Sequence, residues 1–135
     1  MDLSIPVSSV MTVQPVTVEP SHTLLALKHI YEKEQFHHHV PVTDDGLLVG
    51  MISLRDFLAE VKPYGLDDSH PGYLNSRVMD IMSHQPVEVQ PETTLREACE
   101  ILSRGQVHAL AVTKAGRLQG ILSTADVLRY ILNTL

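Results

Sequence analysis

The chain states one pattern twice, and that duplication constrains its fold more than any other feature. Met11 to Asp56 and Met82 to Asp126 align. The first copy carries M-T-V-Q-P-V-T-V-E-P, then T-L, then H-H-V-P-V-T-D-D-G-L-L-V-G-M-I-S-L-R-D. The second carries M-S-H-Q-P-V-E-V-Q-P, then T-L, then H-A-L-A-V-T-K-A-G-R-L-Q-G-I-L-S-T-A-D. The offset is 71 at the start of the copies and 70 at their end, so one residue was gained or lost between Ile30 and His38. Two like units are expected to pack together, and a site made by one is expected to have a pseudo-symmetric twin.

At 135 residues the chain is the size of one ordinary domain. Units of roughly 55 residues bury so little surface that each would fold only marginally alone, so a shared core is expected. Hydrophobic content is 44% with no tryptophan, which predicts an aliphatic core of Val, Leu, Ile and Met. No window approaches the ~20 apolar residues of a membrane span. The formal net charge is −6 and the Lys and Arg residues are scattered. That argues against nucleic acid as a direct partner, because backbone binding needs clustered basic side chains. A phosphate held by a few local donors stays compatible. The single cysteine excludes an internal disulfide and fits a reducing compartment. The start, Met-Asp-Leu-Ser-Ile-Pro, lacks the basic and apolar stretches of a secretion signal, so a cytoplasmic location is expected.

Each copy predicts the same order of elements. Pro15 to Val18 and Pro86 to Val89 read as short strands, ended by Pro20 and Pro91. A helix follows, with Leu24, Leu27, Ile30 and Tyr31 on one face, or Leu95, Ala98, Ile101 and Leu102. Thr94 with Glu97 forms a capping box, whereas Ala26 in the first copy leaves that helix start less firmly written. Val40 to Thr43 and Leu47 to Ile52 read as a hairpin around Asp44-Asp45-Gly46. Its twin turns at Lys114-Ala115-Gly116. A last helix begins at Ser53 or Ser123, carrying Phe57, Leu58 and Val61, or Val127, Leu128, Ile131 and Leu132. The fold class is therefore α/β (α+β), two β-α-β-β-α repeats: residues 1–61, a linker over 62–77, and residues 78–135. The linker, K-P-Y-G-L-D-D-S-H-P-G-Y-L-N-S-R, is longer than most loops. It is either a mere connection or a segment that reports on the state of the domain.

The sharpest local motif is Gly-x-x-Ser-x-x-Asp at each strand-to-helix junction: Gly50, Ser53 and Asp56, then Gly120, Ser123 and Asp126. One reading is structural, a serine N-cap with an acid at the third helical position. The other is functional. A helix N-terminus attracts phosphate, the serine hydroxyl donates to it, and glycine admits a ligand close to the backbone. The aspartate repels phosphate but suits two ribose hydroxyls, as in dinucleotide sites. Sugar on the acid and phosphate on the serine make a coherent nucleotide pose.

On these residues the repeat resembles the CBS domain, the module named after cystathionine β-synthase and found in tandem in regulatory proteins. The matching residues are Val40-Pro41-Val42, Gly46, Gly50 and Ser53-x-x-Asp56, and Val112, Gly116, Gly120 and Ser123-x-x-Asp126. The resemblance implies a Bateman module: two repeats packed with pseudo-two-fold symmetry, two clefts, and pairing into homodimers. It implies adenosine-type ligands, AMP, ADP, ATP or S-adenosylmethionine, as regulatory ligands rather than obligatory cofactors. One cleft would take Met51, Ser53, Arg55 and Asp56, with Val87 and Glu88 of the Pro86 strand at the base and His108 near the phosphate. The other would take Ile121, Ser123 and Asp126, with Val16 and Thr17 of the Pro15 strand and His38 and His39. Relatives that sense AMP often carry His-Arg before the hairpin strand. Here the pairs are His38-His39 and His108-Ala109. Arg55 offers a compensating charge in the first cleft and Ala125 none in the second, while Ala111 replaces the usual proline.

His37-His38-His39 cannot converge on one ion from a regular strand, and no further ligand motif supports zinc, so no metal is expected. Cys99 reads as a small buried hydrophobe. Met11, Met51, Met79 and Met82 read as core filler, and Glu32-Lys33-Glu34 as a solvated helix end. No nucleophile–base pair, catalytic carboxylate pair or phosphate-binding loop is visible, so catalysis is not expected. The expected role is a stand-alone ligand sensor acting on a downstream protein. The alternative is a ligand-free structural or interaction module. Apolar residues beyond one stripe of the last helix, Val127, Leu128, Tyr130, Ile131, Leu132 and Leu135, predict a two-fold dimer.

Overall fold

The computed structural model describes residues 1–33 and 38–135. His37 of the histidine run and Glu34 of the first helix end lie outside them. The described elements run β1 (Thr12–Val13), α1 (Leu24–Lys33), β2 (His39–Asp44), β3 (Leu47–Ser53), α2 (Leu54–Val61), α3 (Gly72–Asn75), α4 (Val78–Ile81), β4 (Glu88–Val89), α5 (Leu95–Ser103), β5 (Ala109–Lys114), β6 (Arg117–Ser123) and α6 (Thr124–Thr134). The class is α+β with two repeats, as the sequence predicts.

By contact, the chain forms two compact units. One is residues 16–85; the other joins residues 1–15 to residues 86–135. The sequence boundaries at 1–61, 62–77 and 78–135 divide the chain by resemblance, and the compact units divide it by packing. Each unit is completed by the leading segment of the opposite copy. In the second unit the Val7 N–H donates to the Thr93 carbonyl at 2.8 Å and the Leu95 N–H to the Ile5 carbonyl at 2.8 Å. In the first unit the pseudo-equivalent segment does the same work: the Val78 N–H donates to the His22 carbonyl at 2.8 Å and the Leu24 N–H to the Ser76 carbonyl at 3.2 Å.

The expected single core is two clusters, one in each unit. Val18, Leu24, Leu27, Val40, Val42, Ile52, Phe57, Tyr73 and Val78 close the first. Val7, Val89, Leu95, Ala98, Leu110, Val112 and Leu122 close the second. The physical reason is the borrowed segment: Val7 and Val78 are fully buried and supply apolar surface that a lone repeat lacks. Thr23 and Thr94 both cap their helices, accepting from the Ala26 and Glu97 N–H groups at 3.2 Å each, so the first helix start is as well written as the second.

The two hairpins share a register. Val42 faces Gly50 and Val112 faces Gly120, with a bulge at the next step. Both turns need two positive φ angles, met by Asp45 (51°) and Gly46 (82°), and by Ala115 (52°) and Gly116 (79°). The predicted strand over Pro15 to Val18 shrinks to one residue, Val18, which bridges β2 in parallel. Its twin shortens to Glu88–Val89. The difference lies in Pro41. In the second unit the Ala111 N–H donates to the Val87 carbonyl at 3.1 Å. Pro41, at the matching place, has no N–H, so Val16 cannot join the ladder. Ala111 therefore adds a hydrogen bond that a proline at its place would lack.

Residues 62–77 are a folded part of the first unit. Tyr73 is 0% exposed, and its hydroxyl donates to the Gly65 carbonyl. Tyr64 stacks on His70 at 4.7 Å and meets the Tyr73 ring edge-on at 5.4 Å. Lys28 of α1 is only 8% exposed and lies 5.7 Å from the Tyr73 ring centroid. Its ammonium donates to Asp68 at 2.5 Å and to Glu32 at 3.2 Å. A polar face of α1 thus straps the segment down, which the apolar periodicity of that helix does not predict.

The hydrogen bond from Lys28, then that from His29, hold the Asp68 carboxyl below its ordinary range. A lowered carboxyl stabilises the fold above its unfolded value, and that contribution is lost as pH falls through the folded value. Acidification below about pH 4 is therefore expected to lower the melting temperature through this strap. Asp68→Asn should lower the neutral-pH melt and weaken its acid slope, as thermal melts across a pH series would read. An unchanged slope would remove Asp68 from the account.

Candidate functional site

Both Ser-x-x-Asp motifs stand where a hairpin strand turns into a helix. Ser53 caps α2 and accepts from the Asp56 N–H at 3.0 Å. Ser123 caps α6 and accepts from the Asp126 N–H at 3.1 Å. The structural reading of the motif is therefore realised in both copies. The first helical N–H groups, of Leu54 and Thr124, donate to the carbonyls of His38 and His108 at 2.7 and 3.0 Å. Each histidine is thus tied by backbone to the junction of its own copy.

The structure brings Val16, Thr17, His38 and His39 into one unit with Met51, Ser53, Arg55 and Asp56. Met51 is buried, Arg55, Asp56, Thr17 and His38 are exposed, and Val16 and His39 are intermediate. The other unit holds Val87, Glu88 and His108 with Ile121, Ser123 and Asp126. Val87, Glu88 and His108 are exposed and Ile121 is buried. The Glu88 carboxylate accepts from the Thr113 hydroxyl at 2.8 Å.

The two aspartates differ. Asp126 is 5% exposed, and both its oxygens are engaged. One accepts from the Thr12 hydroxyl at 3.1 Å and from the Arg129 guanidinium. The other accepts from the Ser123 N–H at 2.8 Å and the Ser123 hydroxyl at 3.0 Å. Among the described residues no group donates to the Asp56 carboxylate. Its charge, second to burial, raises the phenol of Tyr31, whose ring packs 5.2 Å from Phe57. Sequence reasoning missed Thr12 and Arg129. The available signal for Arg129 was its pseudo-equivalent Ala59, which breaks the repeat there, whereas Ser83 keeps the hydroxyl of Thr12 and gave none.

Gly50 and Gly120 admit protein backbone, not a ligand. A Cβ on Gly50 would lie 2.8 Å from the Ser83 carbonyl oxygen, and one on Gly120 would lie 2.7 Å from that of Thr12. Met82 and Met11 lie over the same two positions. The strand segments Met82-Ser83 and Met11-Thr12 pair there: Met51 exchanges backbone bonds with Ser83 at 3.1 and 2.9 Å, and Thr12 faces Ile121. Met11, Met51 and Met82 thus fill space as expected, while Met79 stands exposed on α4. Burial raises the Cys99 thiol against a smaller opposing effect of Arg96.

His29, Glu32 and Asp68 bring ligand-type atoms within 4.8 Å of one another. The Lys28 ammonium already bonds both carboxylates, so this surface group reads as an ion-pair cluster. Among the described residues no helix is long and apolar enough to cross a membrane.

The CBS domain family matches residues 7–63 and 78–133. A CBS domain-containing protein of Bacillus subtilis, YhcV, is 26% identical over 90% of this chain and 81% of its own length. Of longer relatives the chain spans 44% and 21%. The crystal structure of CBSX2 in complex with AMP is 31% identical, with a TM-score of 0.78 over 96% of this chain and 98% of that one. CBSX2 from Arabidopsis thaliana, a CBS-pair protein, gives 25% identity and a TM-score of 0.81 over 97% and 96% of the two chains.

Gly50→Ala and Gly120→Ala are each expected to cost about 1–3 kcal/mol, because the strand above must move. Urea unfolding of the two variants would read this. Wild-type stability in both would show that the segments pass elsewhere.

Proposed function

We propose that this chain, which belongs to the CBS domain family, is a regulatory module that binds an adenine nucleotide or related adenosyl ligand and performs no chemistry itself. The observation that carries this reading is the AMP complex of a relative 31% identical along nearly the whole of both chains. The retention of serine and aspartate at a helix start in both copies supports it. The chemistry is consistent: the helix N-terminus and serine hydroxyl suit an anion, and a carboxylate suits vicinal hydroxyls. Arg55 stands beside Asp56 on the same exposed first turn and adds a cation for phosphate.

The ligand would regulate by favouring one arrangement of the protein, in proportion to its differential affinity. A homodimer is part of this proposal. Leu128, Leu132 and Leu135 of the last helix and C-terminus are 54%, 69% and 88% exposed, and an isologous contact would cover them. Val127, named with them from sequence, instead lies in the core of its own unit.

The second reading is a ligand-free structural or interaction module. It is favoured by the capping geometry, which gives both serines a role with no ligand.

Melting in the presence of AMP, ADP, ATP and S-adenosylmethionine separates the two readings. A ligand at 100 times its dissociation constant should add about 2.7 kcal/mol. No shift with any of the four would favour the structural module. Sedimentation at micromolar concentration should show a dimer, and a monomer alone would refute that part.

A further inference from the structure

We infer that the duplicated motifs have divided their labour: the first alone contacts the ligand's sugar, and the second holds the fold together, so the chain takes one nucleotide rather than two. This rests on the nucleotide reading above and adds occupancy and site assignment to it.

The argument starts from the Asp126 carboxylate. A buried carboxylate is stable only when its lone pairs are filled. Asp126 fills them from within its own unit: Thr12 and Arg129 on one oxygen, and the backbone and hydroxyl of Ser123 on the other. A pair of ribose hydroxyls would have to displace these donors. Displacing Thr12 removes a bond between residues 114 apart in sequence, beside the short pairing of β1 with β6.

Asp56 meets none of these donors. Where the second copy has Arg129, one turn along the helix, the first has Ala59. Where the second motif faces Thr12, the first faces Ser83, whose backbone pairs with Met51 in the corresponding way. The carboxylate is exposed, and among the described residues nothing donates to it. The positive charge is redistributed in the same sense. The first motif carries Arg55 immediately before its acid, and the second carries Ala125 there. An arginine beside the acid is available to phosphate. An arginine one turn later, bonded to the acid, neutralises it instead. Two differences in side-chain chemistry, Ala59 against Arg129 and Arg55 against Ala125, thus point the same way, while Ser83 keeps the hydroxyl of Thr12.

Calorimetric titration with AMP, repeated on Asp56→Asn and Asp126→Asn, tests the assignment. The expected result is one equivalent per chain. Asp56→Asn should weaken AMP roughly ten- to hundredfold, the loss of a charge-assisted contact, and leave the ligand-free melt in place. Asp126→Asn should lower the ligand-free melting temperature and leave AMP affinity within about twofold. Should Asp126→Asn fail to fold, Thr12→Val, which deletes one donor to the same carboxylate, is expected to give a lowered melt with AMP affinity kept. Two equivalents bound, or an equal loss of affinity on substituting either aspartate, would overturn the division of labour while leaving nucleotide binding intact. Weakening by Thr12→Val as large as that by Asp56→Asn would overturn it too. No binding of AMP, ADP, ATP or S-adenosylmethionine would overturn the nucleotide reading and this inference together.

Discussion

The structure depends on a close approach of backbone to backbone at two glycines. In each unit a Met-Thr or Met-Ser segment from one copy lies across the hairpin strand of the other, and only a residue without a Cβ fits beneath it. The bulge just past each glycine, between Val42 and Thr43 or Val112 and Thr113 in the partner strand, fits the same need for a local change of register. Once the segment is seated, Val7 or Val78 follows it into the core, and the threonine-capped helix pairs with it through backbone bonds. The repeat therefore cannot be read as two separately complete domains. Each compact unit needs a strand and a turn of helix that are distant in sequence.

Much of this is legible in the sequence, and the limits have physical causes. The helices, hairpins and caps follow from apolar spacing, β-branched runs and the placement of Ser, Thr, Asp and Gly, all of which act locally. The exchange of leading segments is invisible to those rules, because Val7 and Val78 look like ordinary apolar residues in short flanking stretches. The repeat does record it indirectly: glycine at both positions 50 and 120 calls for a close neighbour, which the sequence reading took to be a ligand and the structure shows to be protein backbone. The shortening of the strand before α1 was available in principle, since Pro41 removes a donor that Ala111 keeps. Lys28 was not. A lysine in a helix is expected in water, and only the fold brings Asp68 and Tyr73 to it.

The segment between the copies shows how local chemistry makes a connection into structure. Its prolines and glycines mark a break in regular elements, and the chain does break there. Yet Tyr64, His70 and Tyr73 form a small aromatic stack, and Gly72 lies so close to the Tyr64 ring that a side chain would displace it. Polar composition predicts exposure, but three aromatic rings in sixteen residues, 62–77, are enough to bury one of them fully against α1.

The same serine and aspartate at a helix start serve two ends that compete. A carboxylate fully bonded within the protein contributes rigidity and has little left to offer a ligand; one left in solvent contributes little to the fold and keeps its lone pairs for a visitor. In the second copy Thr12, Arg129 and Ser123 commit Asp126 to the first end. In the first copy, with Ala59 in the place of Arg129 and no donor to its carboxylate among the described residues, Asp56 is left to the second. Duplication makes this possible, because one copy of the motif can specialise in holding its own compact unit together while the other retains its chemistry. The sequence carries the choice not in the serine and aspartate, which both copies share, but in Arg55 against Ala125 between them and in Ala59 against Arg129 one turn along the helix.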